Sequence, residues 1–289
     1  MRVLVTGGAG MLGSELLRRL AEMGHEGTAL DRAAFLAAGK NEKSSMLDGY
    51  EIIIHAAANT NVEQCEIEPD VCYFDNTFLT EQLFWHAHRK KNKFVFISST
   101  GIYGRGKSEP YHEYDCPQPT TDHHRSKLLS EEIVLGSPNT LIIRTGWLFG
   151  GQLNNKKNFI VNRINEIRSS SEFISANFAQ VGSPTYVTDC AHRILELTLD
   201  DCDGIYNVVN EGAVSRFEYV KKIAELSGSP IEVRPIDSSA FNRRADVSEN
   251  EAAISYRMRY EGRLPLRPWQ DALKEYMRDA GMLRCLNPK

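Results

Sequence analysis

The turn Gly7-Gly8-Ala9-Gly10-Met11-Leu12-Gly13 has the spacing G-x-x-G-x-x-G. Glycine spacing alone says little; its place between a predicted strand and a predicted helix gives it meaning. Gly7 permits the tight turn, Gly10 leaves room for a pyrophosphate against the backbone, and Gly13 lets the helix approach the strand. The free N–H groups at the helix start, those of Met11 and Leu12 among them, offer partial positive charge to phosphate. That chemistry is dinucleotide binding. Asp31 follows at the end of the second predicted strand, where a carboxylate accepts hydrogen bonds from an adenosine ribose and disfavours a 2′-phosphate. Arg32 beside it can hold such a phosphate. The pair leaves NAD and NADP both open.

The elements that must position this turn alternate along the chain. Arg2 to Thr6 reads as a buried strand, and Ser14 to Met23 as a helix with Leu16, Leu17 and Leu20 at helical spacing. Gly27 to Leu30 and Glu51 to His55 read as strands. Phe74 to Lys90 reads as one helix, Phe94 to Ser98 as a strand, residues 124 to 135 as a helix, and Thr140 to Arg144 as a strand. This alternation predicts an α/β fold, a Rossmann-type doubly wound parallel sheet with helices on both faces. Beyond Gly150 the pattern is less regular, with prolines at 184, 230, 235, 265 and 268. The expected division is a dinucleotide-binding domain over 1–150 and a smaller lobe over 151–289. Parts of the latter, about 173–210, are expected to return to the sheet.

The chain has 289 residues, 42% hydrophobic and 25% charged, enough for a sizeable core. A formal charge of −4 gives no electrostatic footprint for nucleic acid. No apolar run reaches the ~18–20 residues of a membrane span, and the short apolar start runs straight into glycines, unlike a signal peptide. Cys65, Cys72, Cys116, Cys190, Cys202 and Cys285 form no CxxC pair and no metal-ligand spacing, so reduced thiols and a cytoplasmic location are expected, with no metal.

Further segments carry a family resemblance. Ala56-Ala57-Ala58-Asn59-Thr60 follows a strand; Val62 to Glu66, Pro69 and Asn76 come next; Ser98-Ser99-Thr100-Gly101-Ile102-Tyr103-Gly104 ends another strand. With the glycine turn, these resemble the extended short-chain dehydrogenase/reductases. Arg144-Thr145-Gly146-Trp147-Leu148-Phe149-Gly150, Val181 to Tyr186 with Asp189, and Leu264-Pro265-Leu266-Arg267-Pro268-Trp269 resemble the dTDP-4-dehydrorhamnose reductase subfamily. The resemblance spans nearly the whole chain. It implies that Ala58, Asn59 and Thr60 line the cofactor, that Ser98, Ser99, Thr100 and Trp147 meet substrate, and that Lys127 holds the nicotinamide ribose. It also implies NAD(P)H-dependent reduction of the 4-keto group of a nucleotide-activated deoxysugar.

Two positions depart from the family. Its Tyr-x-x-x-Lys pair is here His123-His124-Arg125-Ser126-Lys127, with lysine kept and tyrosine replaced by His123. Leu36 stands where the subfamily often has an aspartate. Ketone reduction needs a proton for the developing alkoxide, and general acid help is worth ~10²–10⁴-fold. An imidazolium is a competent acid, yet Lys127, four residues along a helix, should depress the His123 pKa and favour neutral imidazole, which donates one N–H bond as an electrophile. Three readings stay open. Ser99, His123 and Lys127 perform the reduction; or His124, Thr100 or a water supplies the acid; or the chain is a catalytically impaired nucleotide-binding regulatory subunit. A nucleotide-sugar epimerase is a further alternative. The Arg243-Arg244 pair could meet a diphosphate. The oligomeric state is left open, with a homodimer in view.

Overall fold

A computed structural model gives the fold; the structure describes residues 1–240 and 243–283. Strands β1 (Arg2–Thr6), β2 (Glu26–Ala29), β3 (Ile52–His55), β4 (Lys93–Ser99) and β5 (Thr140–Thr145) join Gly204–Asn207 in one six-stranded sheet. Every neighbouring pair runs parallel. The order is Gly204–Asn207, β5, β4, β3, β1, β2. The winding therefore reverses between β1 and β3, and open α/β sheets bind ligands at the carboxyl ends beside such a reversal.

Runs such as Val3-Leu4-Val5 and Ile52-Ile53-Ile54 have no polar side because both sheet faces are covered. On one face Val3, Val5, Ile52, Ile54, Val95 and Leu141 pack with Leu12, Leu16 and Leu20 of helix α1 (Met11–Glu22) and with the helix Val187–Leu199. On the other, Leu4, Ile53, Phe94 and Phe96 pack with Leu83, Phe84 and Ala87 of the helix Leu79–Lys90.

Two expectations are corrected. Phe74 to Lys90 is not one regular helix: Phe74–Phe78 forms a π-helical turn before Leu79–Lys90. The widened turn accompanies Asn76, whose buried side chain is engaged with neighbouring loops, and such turns recur at functional sites. The return to the sheet within 173–210 is made by Gly204–Asn207, whereas Phe173–Asn177 pairs with Glu232–Ile236 in a separate two-stranded sheet. Alternating apolar residues mark a strand without naming its partner. Cys285 lies outside the described residues.

The late motifs act structurally. Arg267 grips Asp189 at 2.8 and 2.9 Å and also bonds Glu275, tying the C-terminal segment to the helix Val187–Leu199. Arg144 is buried on β5 and grips Glu131 of the helix Asp122–Val134, with contacts of 2.7 to 3.2 Å. It also donates to Tyr103 Oη at 3.0 Å, and that hydroxyl donates to Asn207 Oδ1 at 2.8 Å. One network thus joins β5, that helix, the turn after β4 and the edge strand. Removing one partner of a buried pair strands the other charge, so Glu131→Ala should cost ~3–5 kcal/mol by urea denaturation. Glu131→Leu combined with Arg144→Met should cost less than that single change; a larger cost for the double variant would refute the account.

Candidate active site

A cleft of about 980 Å³ opens at the carboxyl ends of β1, β3, β4 and β5. Its floor is the glycine turn. Gly10 N–H donates to Gly7 O at 2.8 Å, and Gly10 caps the start of α1, leaving the first-turn N–H groups of a twelve-residue helix facing outward. Each glycine has a distinct reason. Gly7 has φ +70°, and a Cβ there would stand 2.8 Å from Ala57 N. A Cβ on Gly13 would stand 2.2 Å from Gly7 O. At Gly10 the sole close neighbour would be Gly7 O at 3.1 Å, so the space beyond it is open for a phosphate. The cradle therefore fits a dinucleotide on its own geometry.

The cleft brings together Gly7, Gly10, Met11, Leu12, Gly13, Arg32, Ala58, Asn59, Thr60, Ser98, Ser99, His123, Lys127 and Trp147. Two expected residues stand apart. Asp31 caps the short helix Arg32–Ala37, its Oδ1 accepting from Ala33 N at 2.8 Å and Ala34 N at 3.2 Å, and it does not line the cleft. Arg32 does line it, ion-paired to Asp75. Thr100 is buried in the turn Thr100–Tyr103 with its hydroxyl against Gly146. His124 is likewise buried, its Nδ1 2.9 Å from Thr121 Oγ1 and its Nε2 side against Gly101. Neither is placed to act as the acid. Arg243 and Arg244 lie away from the cleft, lining a smaller pocket of about 340 Å³.

The helix Asp122–Val134 starts on a Thr121 cap, which accepts from His124 N at 3.3 Å. Four-residue spacing then puts His123 and Lys127 on one face. His123 Nδ1 lies 2.9 Å from Asn59 O. A carbonyl oxygen only accepts, so the proton sits on Nδ1 and the lone pair on Nε2. Nε2 has no protein partner among the described residues. Burial first, then the charges of His124 and Lys127, push the His123 pKa down to about 3. As it stands His123 is neutral and presents an acceptor, not an acid.

Lys127 is 3% exposed, with its ammonium 4.1 Å from the centroid of the Phe96 ring. Burial pushes its pKa down to about 7, resisted by Glu131 and Cys72. Around it His55, His123 and His124 are held neutral, with pKa values pushed down to about 3, 3 and 4. Ser99 Oγ accepts from Gly101 N at 3.1 Å, which leaves its proton available to a ligand. Ser98 Oγ is buried without a protein partner.

Several site residues escaped the sequence reading. Asn76 Oδ1 accepts from Asn59 N at 2.7 Å, and its Nδ2 donates to Asn59 O at 3.2 Å and Ser126 Oγ at 3.0 Å. It therefore clamps the cofactor-side loop to the helix that carries His123. Behind it runs a buried chain. Thr80 Oγ1 donates to Asn76 O, so His55 Nε2 donates to Thr80 at 2.9 Å and Thr6 Oγ1 donates to His55 Nδ1 at 2.7 Å. Ala57 N donates in turn to Thr6 Oγ1 at 3.1 Å. Lys156 and Lys157 reach the cleft from the loop after Gly151, with Lys157 Nζ donating to Thr60 Oγ1 at 2.8 Å. Trp147 adopts φ +47° and is fixed by Glu251 Oε2, which accepts from its Nε1 at 2.8 Å, and by Arg216 stacked 3.4 Å from its ring centroid. Only Asn76 had a signal, as part of a family-like segment.

Asn76→Ala should therefore lower stability by ~1–3 kcal/mol for each buried group left unpaired. It should also weaken cofactor binding, read by nicotinamide fluorescence. An unchanged melting temperature and affinity would show that the clamp is dispensable.

Comparison with known proteins gives a consistent picture. Residues 1–282 match the family model described as RmlD substrate binding domain. The spore coat polysaccharide biosynthesis protein SpsK of Bacillus subtilis is 30% identical over 281 residues, covering 96% of this chain and 97% of that protein. The dTDP-4-dehydrorhamnose reductase of Mycobacterium tuberculosis is 30% identical over 279 residues, covering 94% and 91%. The crystal structure of dTDP-4-dehydrorhamnose reductase from Bacillus anthracis in complex with NADP superposes with a TM-score of 0.90 at 28% identity, covering 96% of this chain and 99% of that one.

Proposed function

From the premise that this chain belongs to the RmlD substrate binding domain family, we propose that it reduces the 4-keto group of a nucleotide-activated deoxysugar, using NADPH or NADH. The observation that carries this reading is one continuous cleft that joins the phosphate-binding glycine turn to Ser99, His123 and Lys127. Residues 1–150 hold the dinucleotide; Trp147, near the end of that domain, meets the sugar, braced by Arg216 and Glu251 of the lobe beyond 150. A nucleotide sugar and a nicotinamide cofactor are cytoplasmic metabolites, which suits a cytoplasmic location.

The Gly10 space and the first turn of α1 take the pyrophosphate, and Asn59 and Lys127 face the nicotinamide ribose. Bound there, the reduced nicotinamide supplies the hydride for the sugar carbonyl carbon. The carbonyl oxygen then needs donors. Ser99 Oγ–H supplies one. Lys127 supplies positive charge and the transferable proton, because among the described residues near this point it is the cleft group whose pKa lies near neutrality. Arg32 at the cleft, were it to leave Asp75, could take a 2′-phosphate, while Asp31 is committed to its helix cap; this favours NADPH over NADH.

Turnover is tested by following nicotinamide absorbance with a dTDP-4-keto-6-deoxy sugar. Absence of consumption, with cofactor bound, would reject the reductase reading. Lys127→Met should reduce kcat by ~10²–10⁴-fold. The lysine pKa is lowered, so the protonated form dominates below about 7 and is lost above it. Hence kcat/KM for reduction should be flat in mild acid and fall with pH above about 7; a rise over that range would contradict Lys127 as donor. In a separate test, Arg32→Ala should raise KM for NADPH about tenfold, the scale of a charge-assisted hydrogen bond. Its KM for NADH should hardly change, and equal effects on both would remove Arg32 from phosphate recognition.

A further inference from the structure

Beneath His123 lie two thiols that the proposed reduction does not use. Cys65 and Cys72 come from the short helices Val62–Ile67 and Pro69–Tyr73, and both are buried. Their sulfurs and one ring nitrogen of His123 all lie within 4.8 Å of one another. The sulfurs lie on the Nδ1 side of the ring, since two neighbours of Nδ1 also touch them. Asn59 O is 2.9 Å from Nδ1 and 3.9 Å from Cys65 Sγ. Asn76 Nδ2 is 3.4 Å from Nδ1 and 3.4 Å from Cys72 Sγ.

We propose that Cys65, Cys72 and His123 form a binding site for a soft divalent cation, zinc by ligand chemistry, and that the cation takes His123 at Nδ1 and turns its N–H toward the cleft. Two thiolates and an imidazole are a donor set that selects zinc over hard cations. Metal–sulfur and metal–nitrogen bonds of ~2.3 and ~2.0 Å put tetrahedral ligands roughly 3.5–3.8 Å apart, so a group lying within 4.8 Å closes by about 1.3 Å at most. Asn76 Nδ2 lies 3.4 Å from the Cys72 sulfur, so the N–H it gives Ser126 Oγ is within reach of the sulfur as the outer support such ligands use. Binding releases two thiol protons to solvent, and the two thiolates neutralise the cation. The proton on Nδ1 must leave that nitrogen and reappears on Nε2. His123 then offers an N–H donor at the cleft instead of a lone pair, which restores a donor at the position where the family carries a tyrosine hydroxyl. The site itself stands independently of the reductase reading; the use of that N–H rests on it.

The test uses the reduced full-length protein, stripped with a chelator and titrated with cobalt(II), then zinc. The expected result is one cobalt per chain with thiolate-to-cobalt charge-transfer absorption and tetrahedral d–d bands, displaced by zinc. Cys65→Ser and Cys72→Ser should each lose more affinity than the ~10–100-fold that removal of an outer partner costs. Cys116→Ser, at an exposed thiol, should lose none. Should a serine variant fail to fold, nitrogen-15 NMR of the wild-type imidazoles decides, since zinc should move the His123 proton from Nδ1 to Nε2. No charge-transfer band at one equivalent, a band that survives both serine changes, or an unmoved His123 tautomer would each overturn the proposal. Turnover without metal binding would sink the site and leave the reductase reading standing; metal binding without turnover would do the reverse.

Discussion

The cleft depends on the buried side chain of Asn76. A primary amide has two donors and one acceptor oxygen, and a buried one is costly unless they are used. Here the oxygen and one N–H close on the two main-chain groups of Asn59, and the other N–H reaches Ser126. Loop backbone that would otherwise be unpaired becomes a fixed wall of the cofactor cleft. The main-chain oxygen of Asn76 receives Thr80, and through it His55 and Thr6 join the ends of β3 and β1 to the same point. The direction of every bond in this chain is set from its carbonyl end, which leaves His55 in a single neutral tautomer. The π-turn at Phe74–Phe78 accompanies the residue that must point inward.

The same wall decides what a histidine can do at position 123. A phenol there could present its hydroxyl to the cleft without using it elsewhere. An imidazole has two nitrogens, and Asn59 O takes the proton of the nearer one. Burial and neighbouring positive charge then remove any second proton. The substitution thus keeps a polar ring in place and inverts its hydrogen-bonding sense. Lys127 and Ser99 are left as the donors of the unmodified cleft.

Much of this was legible from local pattern. Five strands of the frame followed from short runs bounded by turn residues, and the glycine turn from spacing plus context, because each of those features is decided within a few residues. The depression of the His123 pKa was foreseen from Lys127, although burial proves the larger cause. What stayed hidden was tertiary. Asp31 has the right type and spacing for a ribose contact but spends its carboxylate on a helix cap two residues away. Thr100 and Ser99 are adjacent, yet only the latter faces the cleft. His55, Glu251 and Arg216 come from distant segments with no motif of their own. Cys65 and Cys72 lack metal-ligand spacing because their third companion is supplied by another helix.

The carboxylate that braces the fold also faces the lysine of the cleft. Lys127 and Glu131 lie four apart on one helix, a spacing at which opposite charges attract by about 0.2–0.5 kcal/mol. Glu131 also faces Arg144 through both oxygens, at 3.1 and 2.7 Å. That guanidinium is itself buried and cannot lose its proton, so Glu131 stays ionised between two cations. Burial of Lys127 outweighs the attraction, and its pKa settles near neutrality. Glu131 thus braces the fold through Arg144 and at the same time resists the loss of the Lys127 proton, so fold stability and proton affinity at the cleft draw on the same carboxylate.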